Sequence, residues 1–149
     1  MRSGTLNVPG IVGFGCAVEI AVKNMTVESQ RLTYLKSLLG EYMLENLSDI
    51  RINGHMTDSL PGLLNVSFND VGADSLLLEL SDIALSSGSA CTSAQRAPSH
   101  VLKAIGATND QSLGSVRFGV GRFNSQDEIR YVCQRVVEAV KKLRSMTPR

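Results

Sequence analysis

The chain has 149 residues, 43% of them hydrophobic and 19% charged, which fits one globular domain or a piece of a larger one and argues against two full domains. Lys plus Arg is 15 and Asp plus Glu is 14, a net charge of +1, so no basic excess recommends nucleic acid as a partner. Cys16, Cys91 and Cys133 form no C-x-x-C pair, no run of ~18 apolar residues marks a membrane span, and no basic-then-apolar leader opens the chain; disulfides, zinc, membrane insertion and secretion are disfavoured, and the chain reads as cytoplasmic.

Arg2-Ser3-Gly4-Thr5 is a polar, turn-like segment. Pro9 suits the first turn of a helix expected from about Pro9 to Asn24, with Asn7 or Val8 just outside it. Ile11, Val18, Val22 and Met25 recur at helical spacing, and Gly10, Gly13, Ala17 and Ala21 make a small-residue stripe. A second helix is expected from about Val27 to Leu47, with Leu32, Leu35, Leu39, Tyr42 and Met43 on one face and Arg31, Lys36, Glu41 and Glu45 on the other.

The period then changes. Ile50-Arg51-Ile52 leads into Asn53-Gly54, and Leu64-Asn65-Val66-Ser67-Phe68 alternates as a strand does. Gly72 to Leu80 reads as a short helix with Leu76, Leu77 and Leu80 inward, Ile83 to Leu85 as a brief strand, and Ser86 to Pro98 as a loop. One or two helical turns from His100 to Ile105 end at Gly106, and Ser115 to Val120 is another strand. Ser125 and Glu128 form a capping box for a last helix, with Lys141, Lys142 and Arg144 at its negative end and Ile129, Val132, Val136, Val140 and Leu143 as its buried stripe. Helices interspersed with short strands imply an α/β class, an α+β sandwich with helices covering a small sheet.

Ser86-Ser87-Gly88-Ser89-Ala90-Cys91-Thr92-Ser93 embeds a thiol among small, polar residues. That suits an accessible nucleophile, although composition alone favours a Ser-rich surface loop with an incidental cysteine. Cys16 and Cys133 lie on expected helices near apolar neighbours, where free cysteine behaves as a small hydrophobe. Arg117 interrupts an apolar strand, where a buried guanidinium needs an ion-pair partner or a ligand carboxylate. Arg2 to Thr5 offers a guanidinium, two hydroxyls and a glycine before a helix N-terminus, which suits a phosphate but is a weak signal by itself. His55 and His100 have no metal-ligand neighbours at helical spacing and read as solvent-exposed; no metal site is expected. The five lysines, Lys23, Lys36, Lys103, Lys141 and Lys142, fit polar faces or ends of helices, which is no setting for a desolvated Schiff-base lysine.

Ser-Ser-Gly-Ser-Ala-Cys-Thr-Ser, followed by Pro98, Ser99, Val101-Leu102 and Gly106, resembles the active-site cysteine loop of cysteine desulfurases of the iron-sulfur-cluster type. Arg2 to Thr5 with Ile11-Val12-Gly13, Gly62 to Phe68, and Ser115 to Gly119 with Gly121-Arg122-Phe123 match the same family in the same order. The resemblance implies the small C-terminal domain of a fold-type I pyridoxal-phosphate enzyme, with residues 1–24 as phosphate-site segment and connecting helix and 25–149 as the small domain. It implies Cys91 as the nucleophile that takes sulfur from L-cysteine as a persulfide, Arg117 as the partner of the substrate carboxylate, and Thr5 as a ligand of the cofactor phosphate of the partner subunit. Iron-sulfur scaffold or sulfur-acceptor proteins are the implied partners. The family's Schiff-base lysine, ring-stacking histidine and ring-nitrogen aspartate have no counterparts here, so a fragment is expected that works as a homodimer or with a complementary cofactor-domain chain. A non-catalytic module that receives a persulfide at Cys91 or binds iron-sulfur assembly partners is the competing reading, and a related fold-type I enzyme of other specificity, such as an aminotransferase or selenocysteine lyase, is a third, the Cys91 loop arguing against the aminotransferase.

Overall fold

The computed structural model describes residues 4–55, 57–87 and 98–146. It opens with α1 (Val8–Asn46), whose first turn is capped by Asn7: the Gly10 N–H donates to Asn7 Oδ1 at 3.1 Å, and Pro9 lies where its missing donor costs nothing. The helix then runs 39 residues without interruption. The break expected between Asn24 and Val27 is absent, because Met25-Thr26 contains neither glycine nor proline to stop the i to i−4 ladder. The expected division near residue 24 thus falls inside a helix, and what changes there is packing. Residues 8–27 are exposed, whereas Leu35, Lys36, Leu39, Gly40 and Met43 are buried. Contrary to the expectation of no such run, α1 is long and apolar enough, by length and composition alone, to cross a bilayer. Its second half is nevertheless a core helix of the sheet domain.

Four strands follow: β1 (Ile50–Asn53), β2 (Leu63–Phe68), β3 (Ser86–Ser87) and β4 (Ser115–Gly119), in the antiparallel order β1-β2-β4-β3. Alternation gives the sheet two unlike faces. Leu64, Val66, Phe68, Val116 and Phe118 are buried in one core with Leu39 and Met43 of α1, Leu76 of α2 (Ala73–Glu79) and Val136 and Val140 of α5 (Gln126–Met146). The register puts Arg51 opposite Ser67, Asn53 opposite Asn65, Asn65 opposite Arg117 and Arg117 opposite Ser86, so the other face is polar.

One half of that polar face is covered. α3 (His100–Ala104) and α4 (Asn109–Leu113) lie there: Arg51 donates to the carbonyls of Ile105 and Gly106 and to Gln111 Oε1, and Ser115 Oγ donates to the Ser112 carbonyl at 2.9 Å. Ser67 and Ser115 are consequently buried although they face away from the apolar core. The last helix has the expected start, with Ser125 N–H donating to Glu128 Oε2 at 2.8 Å and Glu128 N–H to Ser125 Oγ at 3.2 Å. At its far end Arg144 donates to the carbonyls of Ser48, Asp49 and Asn69. That grip braces two turns in which Asp49 and Asp70 adopt left-handed backbone, a conformation aspartate tolerates.

Three expectations need correction here. Ile83 to Leu85 is not a strand: the ladder with β4 forms one step later, at Ser86–Ser87, and Ile83 and Leu85 pack at the rim of the core. Lys36 is buried, not on a polar face, and its ammonium donates to Ser59 Oγ at 2.9 Å and to the Leu60 carbonyl at 3.3 Å. Cys16, expected to be packed, is exposed, as are all of residues 8–27 of α1.

Candidate functional site

The open half of the polar sheet face carries Asn53, Asn65, Arg117 and Ser86 side by side. Asn53 Nδ2 donates to Asn65 Oδ1 and to Ser67 Oγ, each at 2.7 Å, which ties the side chains of β1 and β2 across the ladder. Arg117 stands between Asn65 and Ser86 and is exposed, not buried as its apolar strand suggested, since it projects from the face that β4 turns away from the core. Its Nε–H donates to Ser86 Oγ at 3.2 Å. Among the described residues no carboxylate pairs with it, in contrast to Arg122, which makes a bidentate pair with Glu28 at 3.0 and 2.7 Å. A guanidinium held at Nε, with no other side-chain partner among the described residues, presents its Nη1/Nη2 fork, whose geometry matches a carboxylate.

The other expected site residues are not gathered around it. Thr5 is exposed in the segment ahead of α1, next to Gly4 at φ +124°. Residues 8–27 separate it from Glu28, where α1 is first tied to the sheet domain through Arg122, a helical span of roughly 30 Å at 1.5 Å per residue. Thr5 and Arg117 of one chain therefore do not line a common pocket. Cys91 lies outside the described residues. His55 and His100 are exposed, and no cluster among the described residues could hold a metal ion.

Of the remaining cysteines, Cys133 is buried in α5, and burial pushes its thiol up to about 11. It is a packing residue, as expected. No lysine has a cofactor setting: Lys36 is held by Ser59 and Leu60, Lys142 pairs with Glu79 at 2.7 Å, and Lys23, Lys103 and Lys141 are exposed. A concavity of about 550 Å³ lies elsewhere; its wall includes Asp49, Asp70 and Asp110, whose charges repel a carboxylate. Ser86, which the sequence places in a loop, lies in a strand. No periodic signal marks a two-residue strand, and only the ladder with β4 reveals it.

Comparison with known proteins matches residues 1–132 to the class-V aminotransferase family. The chain is 47% identical over 147 residues to the cysteine desulfurase IscS of Anaeromyxobacter sp. (strain Fw109-5), covering 99% of this chain and 36% of that protein. It is 45% identical over 148 residues to the cysteine desulfurase of Rattus norvegicus, covering 99% of this chain and 33% of that protein. The chain thus spans about a third of the length of the curated relatives it matches. Among solved structures, a NifS-like protein superposes on 95% of this chain with a TM-score of 0.79 and 29% identity, covering 36% of its own chain. DndA from Streptomyces lividans matches 79% of this chain, and 33% of its own, with a TM-score of 0.59 and 29% identity.

Proposed function

We propose, from the premise that the chain belongs to the class-V aminotransferase family, that it is the cysteine-bearing portion of a cysteine desulfurase acting on L-cysteine. The observation that carries this reading is the Arg117 fork, aligned by Ser86 on an open polar face and paired with no acid among the described residues. An α-amino acid substrate brings the carboxylate such a fork accepts. The relatives named cysteine desulfurase, at 45–47% identity across nearly the whole chain, support the same substrate class.

The chain's residues fit the family's cofactor, pyridoxal phosphate, at one end only. Thr5, with its hydroxyl exposed beside Gly4, suits the phosphate of a partner subunit, while none of the five lysines is placed to hold the aldehyde. That lysine would come from a complementary cofactor-domain segment, in a homodimer or a two-chain assembly. When bound, the cofactor supplies the electron sink for breaking bonds next to the amino acid's α-carbon. Arg117 fixes the carboxylate and so the direction of the substrate sulfur. Cys91 is assigned as the nucleophile: its thiolate forms an S–S bond to that sulfur as the substrate C–S bond breaks, and the carbon keeps the electron pair and takes a proton. L-alanine leaves, and Cys91 holds a persulfide for a cytoplasmic sulfur acceptor such as an iron-sulfur scaffold.

Peptide mass mapping tests this. After incubation with a competent desulfurase and L-cysteine, or with a small persulfide donor, one extra sulfur is expected on the Cys91 peptide, and Cys91→Ser should abolish it with unchanged circular dichroism. Sulfur on Cys16 or Cys133, or on no cysteine, overturns the assignment. If a complementary cofactor domain is supplied and L-cysteine gives no alanine while Cys91 still takes up sulfur from a donor, the non-catalytic receiving module replaces the enzyme reading.

A further inference from the structure

An arginine offers a carboxylate two bidentate edges, Nη1/Nη2 end-on and Nε/Nη2 side-on, and a flexible side chain on an open sheet face can swing between them. At Arg117 this freedom is restricted by its neighbours. Antiparallel pairing of β3 with β4 sets Ser86 directly opposite Arg117 on the same face, and the Nε–H donates to Ser86 Oγ at 3.2 Å. On the other side Asn65 is opposite Arg117 as well, but its Oδ1 is taken by Asn53 Nδ2 at 2.7 Å. Ser86 is therefore the one described side chain that bonds the guanidinium, and it occupies the edge that side-on binding needs.

We propose that Ser86 is a positioning residue for Arg117: by accepting from Nε–H it fixes the guanidinium plane, closes the side-on edge and leaves the end-on fork as the single carboxylate seat. This deepens the desulfurase reading and rests on it for the identity of the ligand, an α-amino acid carboxylate. The hydroxyl acts before substrate arrives, so its removal weakens capture of the carboxylate and leaves the chemistry at sulfur nearly untouched.

Two measurements test it. On this chain alone, isotope-labelled, the Arg117 Nε–H proton should exchange with water several-fold faster in Ser86→Ala than in the parent, and Ser86→Thr, which keeps an Oγ, should restore the slow exchange. In a desulfurase assembled around this chain, Ser86→Ala should raise KM for L-cysteine about fivefold with kcat within about twofold, again rescued by Ser86→Thr. Unchanged Nε–H exchange, or equal losses of kcat in both variants with KM unmoved, overturns the role of Ser86. Arg117→Ala separates the two readings. If it leaves KM unchanged, the carboxylate seat at Arg117 fails while the exchange rate still decides the Ser86 contact; if no assembly around this chain turns over L-cysteine, the desulfurase reading itself fails. If it raises KM and Ser86→Ala does not, only the positioning role falls.

Discussion

Cys133 and Cys16 both sit on helices beside apolar residues, and the sequence offers no reason to treat them differently. The fold separates them. Cys133 is 1% exposed in α5 with its thiol pushed up to about 11, whereas Cys16 lies on the exposed half of α1. At pH 8 a thiol titrating near 11 is thiolate in roughly one molecule in a thousand, and it is shielded besides. Native alkylation at pH 8 should therefore label Cys16 and spare Cys133 until denaturant is added; Cys133 labelling in step with Cys16 would contradict the packing of α5. Lys36 teaches the complementary lesson, because the spacing held the signal. It stands four residues after Leu32 and three before Leu39, within the apolar stripe. Its charge argued for the outer face, but a long side chain can bury its stem and still reach Ser59 and the Leu60 carbonyl. Arg117 stands out in the sequence as an isolated guanidinium in an apolar strand, yet its exposure follows from strand parity relative to the core, which needs the register.

At the scale of elements, Gly62 shows how closely two segments meet. A Cβ built there runs into the Val120 carbonyl, and the Gly62 carbonyl accepts from Val120 N–H at 2.7 Å, so the entry to β2 and the exit of β4 touch backbone to backbone. Gly62→Ala should destabilise by about 1–3 kcal/mol, since backbone cannot yield as a side-chain tip can. Gly13→Ala, in a part of α1 with nothing within 4 Å, should not destabilise and should raise helicity. Equal denaturation midpoints for the two variants would refute the contact. Strong local signals were enough for β2, β4, α5 and the Ser125–Glu128 cap. α4 was missed although Thr108 and Gln111 form a capping box, because its five residues carry no apolar stripe to announce a helix. The single span of α1 differs from the expected pair of helices because apolar residues run through both halves and only their packing changes, residues 8–27 being exposed and Leu35, Leu39 and Met43 buried.

In the whole molecule, two surface features set how the fold responds to its surroundings: its charge pairs and the apolar area it leaves uncovered. Asp82 accepts from Tyr131 at 2.6 Å and pairs with Arg135, tying the end of α2 to α5, and these partners draw its carboxyl down to about 2 from an ordinary value of 3.8. Glu28 and Glu128 are lowered too, chiefly by Arg122 and by the Ser125 N–H. A depressed carboxylate favours the folded chain above its unfolded value and loses that contribution as pH falls through the folded one. Thermal stability should thus be flat from pH 7 to 5 and fall between about pH 4 and 2. Asp82→Asn should flatten part of that fall, and an identical slope in the variant would count against the pair. The uncovered surface has the larger consequence. Ile11 is 58% exposed, Val12 65%, Phe14 72% and Phe123 93%. Apolar area of this extent is normally covered by another domain or another copy. In the desulfurase reading it belongs against the cofactor-bearing part, and in that part's absence like surfaces should meet. Sedimentation at tens of micromolar is expected to show dimers or larger species whose proportion grows with concentration, and Phe14→Glu should shift them toward monomer. A sharp monomer at all concentrations, with no uptake of a hydrophobic dye, would show that the first half of α1 folds back onto the chain in solution and does not stand free to receive a partner.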